Sequence, residues 1–239
     1  MTPSTGPEIK PYDREKLLIS LHIPKTAGTS FRAILEQWFG DRLHKHYPGW
    51  ATPLTRTEAQ ADACVHGHFT RLNNSAVRQY YPDADQIITV MRDPFDRMIS
   101  EWRFKHMVLA AGEAVEDMAD NPDFDTWFGR RIDEALAQPI TRLMMQMPND
   151  VTPQTAHAAF DRDFVAVGVS ERFSDTVRLF AAVLGKPYVP DQPMNVTTYG
   201  RAGDYDGYRP RHEEVFRAEY EMYAAARARF QRQWSDLAS

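Results

Sequence analysis

The stretch LLISLHIPKTAGTSFRAIL, from Leu17 to Leu35, decides the fold class. Its apolar start, 17–23, is typical of a strand that is buried on both faces of a sheet. A turn of small and polar residues follows, and apolar residues then recur at helical spacing until Gly40 can end the helix. A buried strand, a small-residue loop and a helix predict the first unit of an α/β domain, with a loop suited to an anion.

The loop of this unit holds a lysine, a glycine and hydroxyl residues. Small residues let backbone N–H groups converge, and the N-terminus of the following helix adds a positive dipole end. Lys25 precedes Gly28, so the loop differs from the ATP-binding form G-x-x-x-x-G-K-[ST]. A turn between any strand and helix can also contain these residue types without binding an anion. The candidate anion-binding residues are Lys25, Thr26, Ala27, Gly28, Thr29 and Ser30.

A second candidate segment is VMRDPFDRMISEW, from Val90 to Trp102, which follows the β-branched run 86–91. Arg92 comes directly after this predicted strand, at the edge of a parallel sheet where ligands bind. Ser100 follows Arg92 after about two helical turns. An arginine fork and a hydroxyl group near one edge of a sheet suit a phosphate dianion.

Part of this segment has a simpler explanation. Asp93 and Pro94 are typical of the N-cap and first position of a helix. Arg97 stands at the spacing for an ion pair with Asp93, and it shares a helix face with Ser100. A capped helix with one ion pair therefore accounts for Asp93 and Arg97 without a ligand, but it leaves Arg92 unexplained.

The predicted strand 63–69 carries CVHGHF, in which His66 and His68 face the same side. A histidine pKa of about 6.5 suits general base catalysis near neutral pH. A His-x-His pair can also bind a metal, but no nearby Cys or acidic partner completes a zinc set, and many histidines are only core residues. Cys64 is most simply a small buried residue. Structural or surface roles are expected for the other histidines, which are His22, His44, His46, His106, His157 and His212.

These segments together resemble the sulfotransferases that use 3′-phosphoadenosine 5′-phosphosulfate (PAPS). HIPKTAGTS is similar to their 5′-phosphosulfate loop, and RDPFDRMIS to their 3′-phosphate segment. VGVSERFSDTVRLF, 167–180, resembles a later strand and helix of the branch that contains the heparan sulfate and chondroitin sulfotransferases and their bacterial relatives. The resemblance spans about residues 17–184, with weaker similarity in MNVTTYGR and in the last helix.

The resemblance implies a role for each candidate residue. Lys25 would stabilise charge on the leaving phosphate, and the residues up to Ser30 would hold the 5′-phosphate. The 3′-phosphate would be bound by Arg92 and Ser100. His68 would be the general base, with His66 assisting or orienting it, although the assignment between the two stays open. Arg201 would close over the nucleotide, but a solvated surface arginine is an equal explanation.

Alternating strands and helices predict an α/β fold: a single P-loop-like domain with a central parallel sheet flanked by helices. The domain is expected to cover 16–239, after a flexible N-terminal tail, 1–15. The further predicted elements are a helix from Asp93-Pro94, an irregular acidic segment at 108–129, a helix at 130–147, a strand at 164–169, a helix at 171–184, a loop region at 186–210 and a C-terminal helix with Phe216, Tyr220, Tyr223, Phe230 and Trp234 on one face. Residues 108–147 form either an acceptor-site or lid subregion or an ordinarily packed helical subdomain.

Composition narrows the function classes. Of the 239 residues 43% are hydrophobic, and the net charge of −5 argues against nucleic acid as a partner. No segment approaches the roughly 18 apolar residues of a membrane span, and the polar N-terminus predicts a cytoplasmic protein. The expected lack of a signal anchor departs from the Golgi members of the family that the sequence resembles, and this difference implies a bacterial enzyme. The single cysteine excludes an internal disulfide. The oligomeric state stays open.

The expected activity is sulfuryl transfer from PAPS, as co-substrate and without a required metal, to a hydroxyl of a carbohydrate or small molecule. The alternative is a P-loop kinase or NTPase-like phosphoryl transferase with Asp93 as a magnesium ligand. The order of Lys25 and Gly28, and the place of Arg92 before Asp93, favour the sulfotransferase. A nucleotide sensor with a degraded site is a third hypothesis, and the complete set of candidate residues argues against it.

Overall fold

A computed structural model describes residues 10–47, 61–71, 76–138, 140–190 and 204–238. In this part of the chain, five strands form one all-parallel sheet in the order β2-β3-β1-β4-β5. The strands are β1 (Leu18–Leu21), β2 (Leu43–His46), β3 (Cys64–Gly67), β4 (Ile87–Met91) and β5 (Phe164–Val169). The predicted α/β fold, a single domain with a central parallel sheet flanked by helices, is confirmed.

Helices cover the sheet and connect its strands. The helices of the described residues are α1 (Gly28–Phe39), α2 (Val77–Tyr80), α3 (Pro94–Ala110), α4 (Phe124–Ala137), α5 (Arg142–Gln146), α6 (Ala156–Asp163), α7 (Phe173–Leu184), α8 (Arg209–Val215) and α9 (Arg217–Ala238). The predicted start of α3 is confirmed, because the Asp93 carboxylate accepts hydrogen bonds from the backbone N–H groups of Phe95 and Asp96. Among the described residues, no helix is both long and apolar enough to cross a membrane.

Burial explains which strands the sequence predicts well. Every residue of β1, β3, β4 and β5 is buried, since helices cover both faces of these strands, and each was predicted from a run of mostly apolar residues. The edge strand β2 was not predicted. Its sequence is LHKH and only His46 is buried, so β2 lacks the apolar run that marks an inner strand.

The segment between α3 and β5 corrects two expectations. Residues 108–129 are not irregular throughout, because α3 continues to Ala110 and α4 begins at Phe124. The helix expected at 130–147 is two helices, α4 and α5, and each has its own capping residue: the side chain of Asp123 accepts from Thr126 N, and that of Thr141 from Met144 N. The sequence analysis treated Asp123 as part of an irregular acidic segment and missed that it is the N-cap of α4.

The described residues contain two clusters of buried apolar side chains. The larger one surrounds the sheet, and the smaller one joins α3 and α4 to the C-terminal part of the chain through Phe95, Trp127 and Phe216. The aromatic face predicted for the last helix divides between them. Phe216 and Tyr220 pack in the smaller cluster, while Tyr223, Phe230 and Trp234 pack in the larger one.

The structure describes only part of the expected N-terminal tail and only part of the expected loop region. In the expected tail, 1–15, the structure describes residues from Lys10, and there Gln86 accepts from Asp13 N at 2.7 Å and donates to Asp13 O at 3.0 Å. In the expected loop region, 186–210, residues 191–203 lie outside the described residues, and α8 begins at Arg209. The MNVTTYGR segment and Arg201 are therefore outside the described part.

Candidate active site

The loop between β1 and α1 has an unusual backbone. Lys25 (φ 70°) and Ala27 (φ 66°) both adopt left-handed conformations, which are uncommon for residues other than glycine. Such conformations tend to occur at ligand sites, where they turn successive N–H groups towards one point. Thr29 and Ser30 follow in the first turn of α1, close to its positive dipole end. The backbone thus favours an anion at this loop.

Side chains within the loop hold its shape. The hydroxyl group of Thr26 is buried and donates to the carbonyl oxygen of Ile23 at 2.8 Å. Its proton is therefore used within the loop, and the backbone N–H of Thr26 remains its contribution to a phosphate site. Gly28 packs directly against the ring of His22, since a Cβ atom at Gly28 would lie 1.7 Å from His22 Nε2. Only glycine fits at this position.

We expect Gly28→Ala to lower the free energy of unfolding by roughly 1–3 kcal/mol, because the added methyl group overlaps a ring packed among other rings. Equilibrium urea unfolding measures this change. Gly129→Ala is the matched control: Gly129 lies within α4, a Cβ atom added there would meet nothing within 4 Å, and alanine should be neutral or slightly stabilising. Equal effects of the two substitutions would contradict the close packing of Gly28 on His22.

Three histidines and a tyrosine meet beside this loop. The ring centres of His22 and His66 are 5.1 Å apart, those of His22 and His68 are 4.5 Å apart, and the Tyr47 ring centre lies 4.9 Å from that of His68. The parallel pairing of β1 with β3 explains this proximity, because Ser20 is in register with His66. The expectation that His66 and His68 face one side is consistent with their shared contact with His22.

His22 was given no site role from the sequence. The structure places it between the anion loop and both candidate bases, where its Nδ1 lies 3.2 Å from the hydroxyl oxygen of Tyr47. Burial and the neighbouring His66 lower its pKa, so the ring stays neutral near pH 7. Its position at the end of the first apolar run, next to the loop, was the available signal.

The two candidate bases differ in their surroundings. His66 is fully buried, its Nδ1 lies 2.9 Å from Ser20 Oγ, and burial lowers its pKa to about 3. His68 is half-buried just beyond the end of β3, and burial lowers its pKa. Within the described residues, no hydrogen-bond partner contacts His68 Nε2. Nε2 is buried and without a described partner in both rings, so the two histidines differ in exposure and contacts. The half-buried His68 suits proton transfer, whereas the fully buried His66 with its contact to Ser20 suits a positioning role.

Lys25 and Arg92, predicted from separate segments, lie together. Arg92 Nη1 donates to the carbonyl oxygen of Lys25 at 3.2 Å, and Lys25 Nζ stands 3.8 Å from the ring centre of Phe104. Burial lowers the pKa of Lys25 to about 8, and Arg92 contributes to this lowering while Glu101 opposes it. Two partly desolvated cations at the ends of neighbouring strands form a site that an anion would stabilise.

Arg92 also lines a small cavity of about 330 Å³ together with Arg103. Burial lowers the pKa of Arg92. The carboxylates of Asp96 and Glu171 oppose this lowering, and the charge of Arg103 adds to it. Arg103 Nε is buried and lacks a hydrogen-bond partner within the described residues. Sequence reasoning missed Arg103, although it lies one helical turn after Ser100. Ser100 itself is half-buried on α3, and it is not among the described residues that line this cavity.

The simpler explanation of the α3 segment was right about the cap but wrong about the ion pair. The Asp93 carboxylate caps α3 and accepts from Arg209 Nη1 at 2.9 Å. Arg97 pairs instead with the fully buried Glu219 at 3.0 Å, which removes it from the phosphate candidates. The Asp93 side chain, proposed as a magnesium ligand in the kinase hypothesis, is thus engaged in structural contacts.

Lys25 lines a larger cavity, of about 760 Å³. Residues of the loop, α3, α4 and α5 line it, so the subregion 108–147 contributes much of its wall. Neither His66 nor His68 is among the described lining residues. In the described part of the chain, no group of three or more His, Cys, Asp or Glu side chains is placed to hold a metal.

Comparison with known proteins adds a family match. The sequence model of the sulfotransferase family matches residues 12–185. This range contains the loop 22–30, the histidine cluster and the Arg92 segment, and it ends one residue after α7. A search of curated proteins found no significant match.

Proposed function

The chain belongs to the sulfotransferase family, and on this basis we propose that it moves a sulfuryl group from PAPS to a hydroxyl group of a carbohydrate or small molecule. The observation that carries the proposal is the contact between the loop that follows β1 and the Arg92 segment that follows β4. The hydrogen bond from Arg92 to the carbonyl oxygen of Lys25 joins them, and each of the two residues lines a cavity. One bound molecule with phosphates at two positions could therefore contact both.

The donor would lie with its 5′ end at the loop and its 3′-phosphate at Arg92. The left-handed residues and the first turn of α1 supply backbone N–H groups for the 5′-phosphate. Arg92 and Arg103 together supply two cations for the 3′-phosphate, and Arg103 strengthens the role first expected of Arg92 and Ser100. This arrangement needs no metal to balance the phosphate charges.

The reaction follows from the placement of Lys25 and His68. The acceptor oxygen bonds to sulfur while the bond from sulfur to the phosphate oxygen breaks, and adenosine 3′,5′-bisphosphate leaves. His68 Nε2 takes the proton of the acceptor hydroxyl. His22 supports the His68 ring directly, and His66 acts through its own contact with His22. Lys25 stabilises the negative charge that develops on the phosphate oxygen, in a partly dehydrated site where such stabilisation is strong.

Titration calorimetry tests the proposal directly. The protein should bind adenosine 3′,5′-bisphosphate far more tightly than AMP or ATP, in the presence of EDTA, because cationic side chains and backbone N–H groups bind both phosphates. Each charge-assisted contact contributes roughly 1.5–3 kcal/mol. Arg92→Ala should therefore lower the ratio of bisphosphate affinity to AMP affinity by at least about tenfold. The affinity for AMP itself should stay almost unchanged.

Arg217→Ala is the control, because Arg217 is exposed on α9 and pairs only with Glu221 among the described contacts. It should leave all three affinities unchanged. Tight, magnesium-dependent ATP binding without preference for the bisphosphate would refute the sulfotransferase proposal and favour the phosphoryl transferase.

A further inference from the structure

The larger cavity has an apolar wall that the donor site does not require. Phe104, Val108, Ile140 and Leu143 line it, together with Met98 and Met145. Its volume of about 760 Å³ is that of a small-molecule site. Lys25 lies at the same cavity, so a molecule bound there would reach the residue that stabilises the leaving phosphate.

Exposed apolar side chains continue this wall to the surface. Within the described residues, Phe104, Met107, Leu136 and Ile140 are among the few large hydrophobic side chains with high exposure, at 41%, 43%, 63% and 42%. Phe104 and Ile140 line the cavity, and the other two stand next to lining residues in the chain. Apolar residues that are concentrated at the mouth of a cavity indicate an apolar ligand rather than chance exposure.

One cation in this wall is incompletely paired. Arg131 lines the cavity with only 6% of its surface exposed. Its Nη2 donates to Glu134 and lies 3.5 Å from Asp117, but Nε and Nη1 have no hydrogen-bond partner within the described residues. Buried polar groups are nearly always hydrogen-bonded. Nε and Nη1 are buried in the wall, so a ligand acceptor atom would pair with them after a movement of the Arg131 side chain.

The neighbouring cation is paired differently. Arg142 Nη1 contacts Glu101 Oε1 at 2.9 Å, and Lys105 contacts the same carboxylate oxygen at 2.9 Å. Burial and the nearby charge of Arg142 lower the pKa of Arg131, against the opposing effect of its carboxylate neighbours. Arg131 pairs with Glu134 and Asp117 but keeps two nitrogens without hydrogen bonds in the described part of the chain, so it is a cation of this group with donors left for a ligand.

We propose that the acceptor is an amphiphilic hydroxy acid: a molecule with an apolar body in this cavity, a carboxylate received by Arg131, and a hydroxyl group that extends past Lys25 to His68, which lies outside the described cavity lining. This inference rests on the proposed function, since it assigns the acceptor of the same reaction. The apolar wall holds the body, and Arg131 selects the charged end. A neutral carbohydrate would leave the apolar wall without a suitable partner, and its hydroxyl groups would offer Arg131 only uncharged acceptors.

The test compares three probes by calorimetry with the full chain saturated with adenosine 3′,5′-bisphosphate. The probes are ω-hydroxyoctanoic acid, octanol and methyl glucoside. The hydroxy acid should bind on the order of tenfold or more tightly than octanol, which is the effect of one charge-assisted hydrogen bond. Methyl glucoside should bind more weakly than either.

Variants then assign the preference to one residue. Arg131→Ala should bring the hydroxy acid to the affinity of octanol without weakening octanol. Arg130→Ala is the matched control, because Arg130 is the adjacent residue, is exposed and pairs with Asp120. It should retain the full preference. Should Arg131→Ala fail to fold, Arg131→Met keeps most of the side-chain volume, and the comparison of probes on the unchanged protein decides in any case.

Equal binding of the hydroxy acid and octanol, a preference for methyl glucoside, or binding of none of the probes would overturn the inference. The outcome for the donor proposal can be distinguished from the outcome for the acceptor assignment. If the bisphosphate binds tightly but the hydroxy acid shows no preference, only the acceptor assignment is wrong. If the protein lacks bisphosphate binding, the three probes are measured without nucleotide, and an Arg131-dependent preference would then keep the ligand assignment while the donor proposal falls.

Discussion

His68→Ala is expected to lower turnover by on the order of 10²-fold or more, with the affinity for adenosine 3′,5′-bisphosphate unchanged. The acceptor hydroxyl cannot lose its proton efficiently without a base, and His68 is the half-buried imidazole whose Nε2 has no described partner. Initial rates at saturating donor give the turnover, and calorimetry with the bisphosphate gives the affinity.

The pH profile provides a second measurement of the same role. Burial lowers the pKa of His68 from its usual value of about 6.5. The base is the unprotonated ring, which is present above its pKa and lost as the pH falls through it. The midpoint of the acidic limb of the turnover profile should therefore lie below pH 6.5, and this limb should disappear from the residual activity of His68→Ala.

Two other histidines serve as comparisons. His66→Ala should reduce stability as well as turnover, because His66 is buried and contacts Ser20. His157→Ala should change neither, since His157 is exposed on α6. Normal turnover in His68→Ala together with an inactive, folded His66→Ala would reverse the assignment, and normal turnover in both would remove the histidine base from the mechanism.

Lys25→Ala should reduce turnover more than it weakens the binding of adenosine 3′,5′-bisphosphate. The charge of Lys25 meets a phosphate oxygen whose negative charge grows as its bond to sulfur breaks, so its contribution is greatest in the transition state. Loss of one such interaction in a partly dehydrated site costs about 10²–10³-fold in turnover. Initial rates and product calorimetry on the same preparation measure the two effects.

Lys16→Ala is the control for a lost surface charge, because the exposed Lys16 precedes β1, at the opposite end of that strand from the loop, and pairs with Asp85. It should leave turnover and affinity unchanged. A pure loss of bisphosphate affinity in Lys25→Ala, at normal turnover, would show that Lys25 holds the nucleotide equally in both states and does not stabilise the leaving group.

The features that the sequence predicted are those that arise from local patterns. Continuous apolar runs identified β1, β4 and β5, because strands buried on both faces need apolar side chains throughout. The Asp-Pro pair identified the start of α3 through a capping interaction that spans three residues. Lys25 and Arg92 were found separately because each follows such a strand, and parallel pairing then brings them to one edge.

The features that the sequence concealed depend on tertiary contacts. The polar strand β2 is specified by pairing with β3, not by its own pattern. His22 gains its place at the site only when β1 and β3 lie side by side. The same holds for Arg103, which meets Arg92 across a cavity, and for Arg131, whose unpaired nitrogens are visible only once α4 has packed on α3.

The buried contact between Arg97 and Glu219 bears on where the domain can be cut. Glu219 of α9 is fully buried, and its two oxygens accept from Arg97 Nη2 and from the backbone N–H of Leu143, so one carboxylate joins three helices. Truncation after residue 185 would keep the family-matched segment but remove Glu219 and leave Arg97 with only the more distant Glu101, at 4.0 Å. Breaking a buried ion pair in this way costs about 3–5 kcal/mol. The region shared with the family is therefore smaller than the autonomous folding unit.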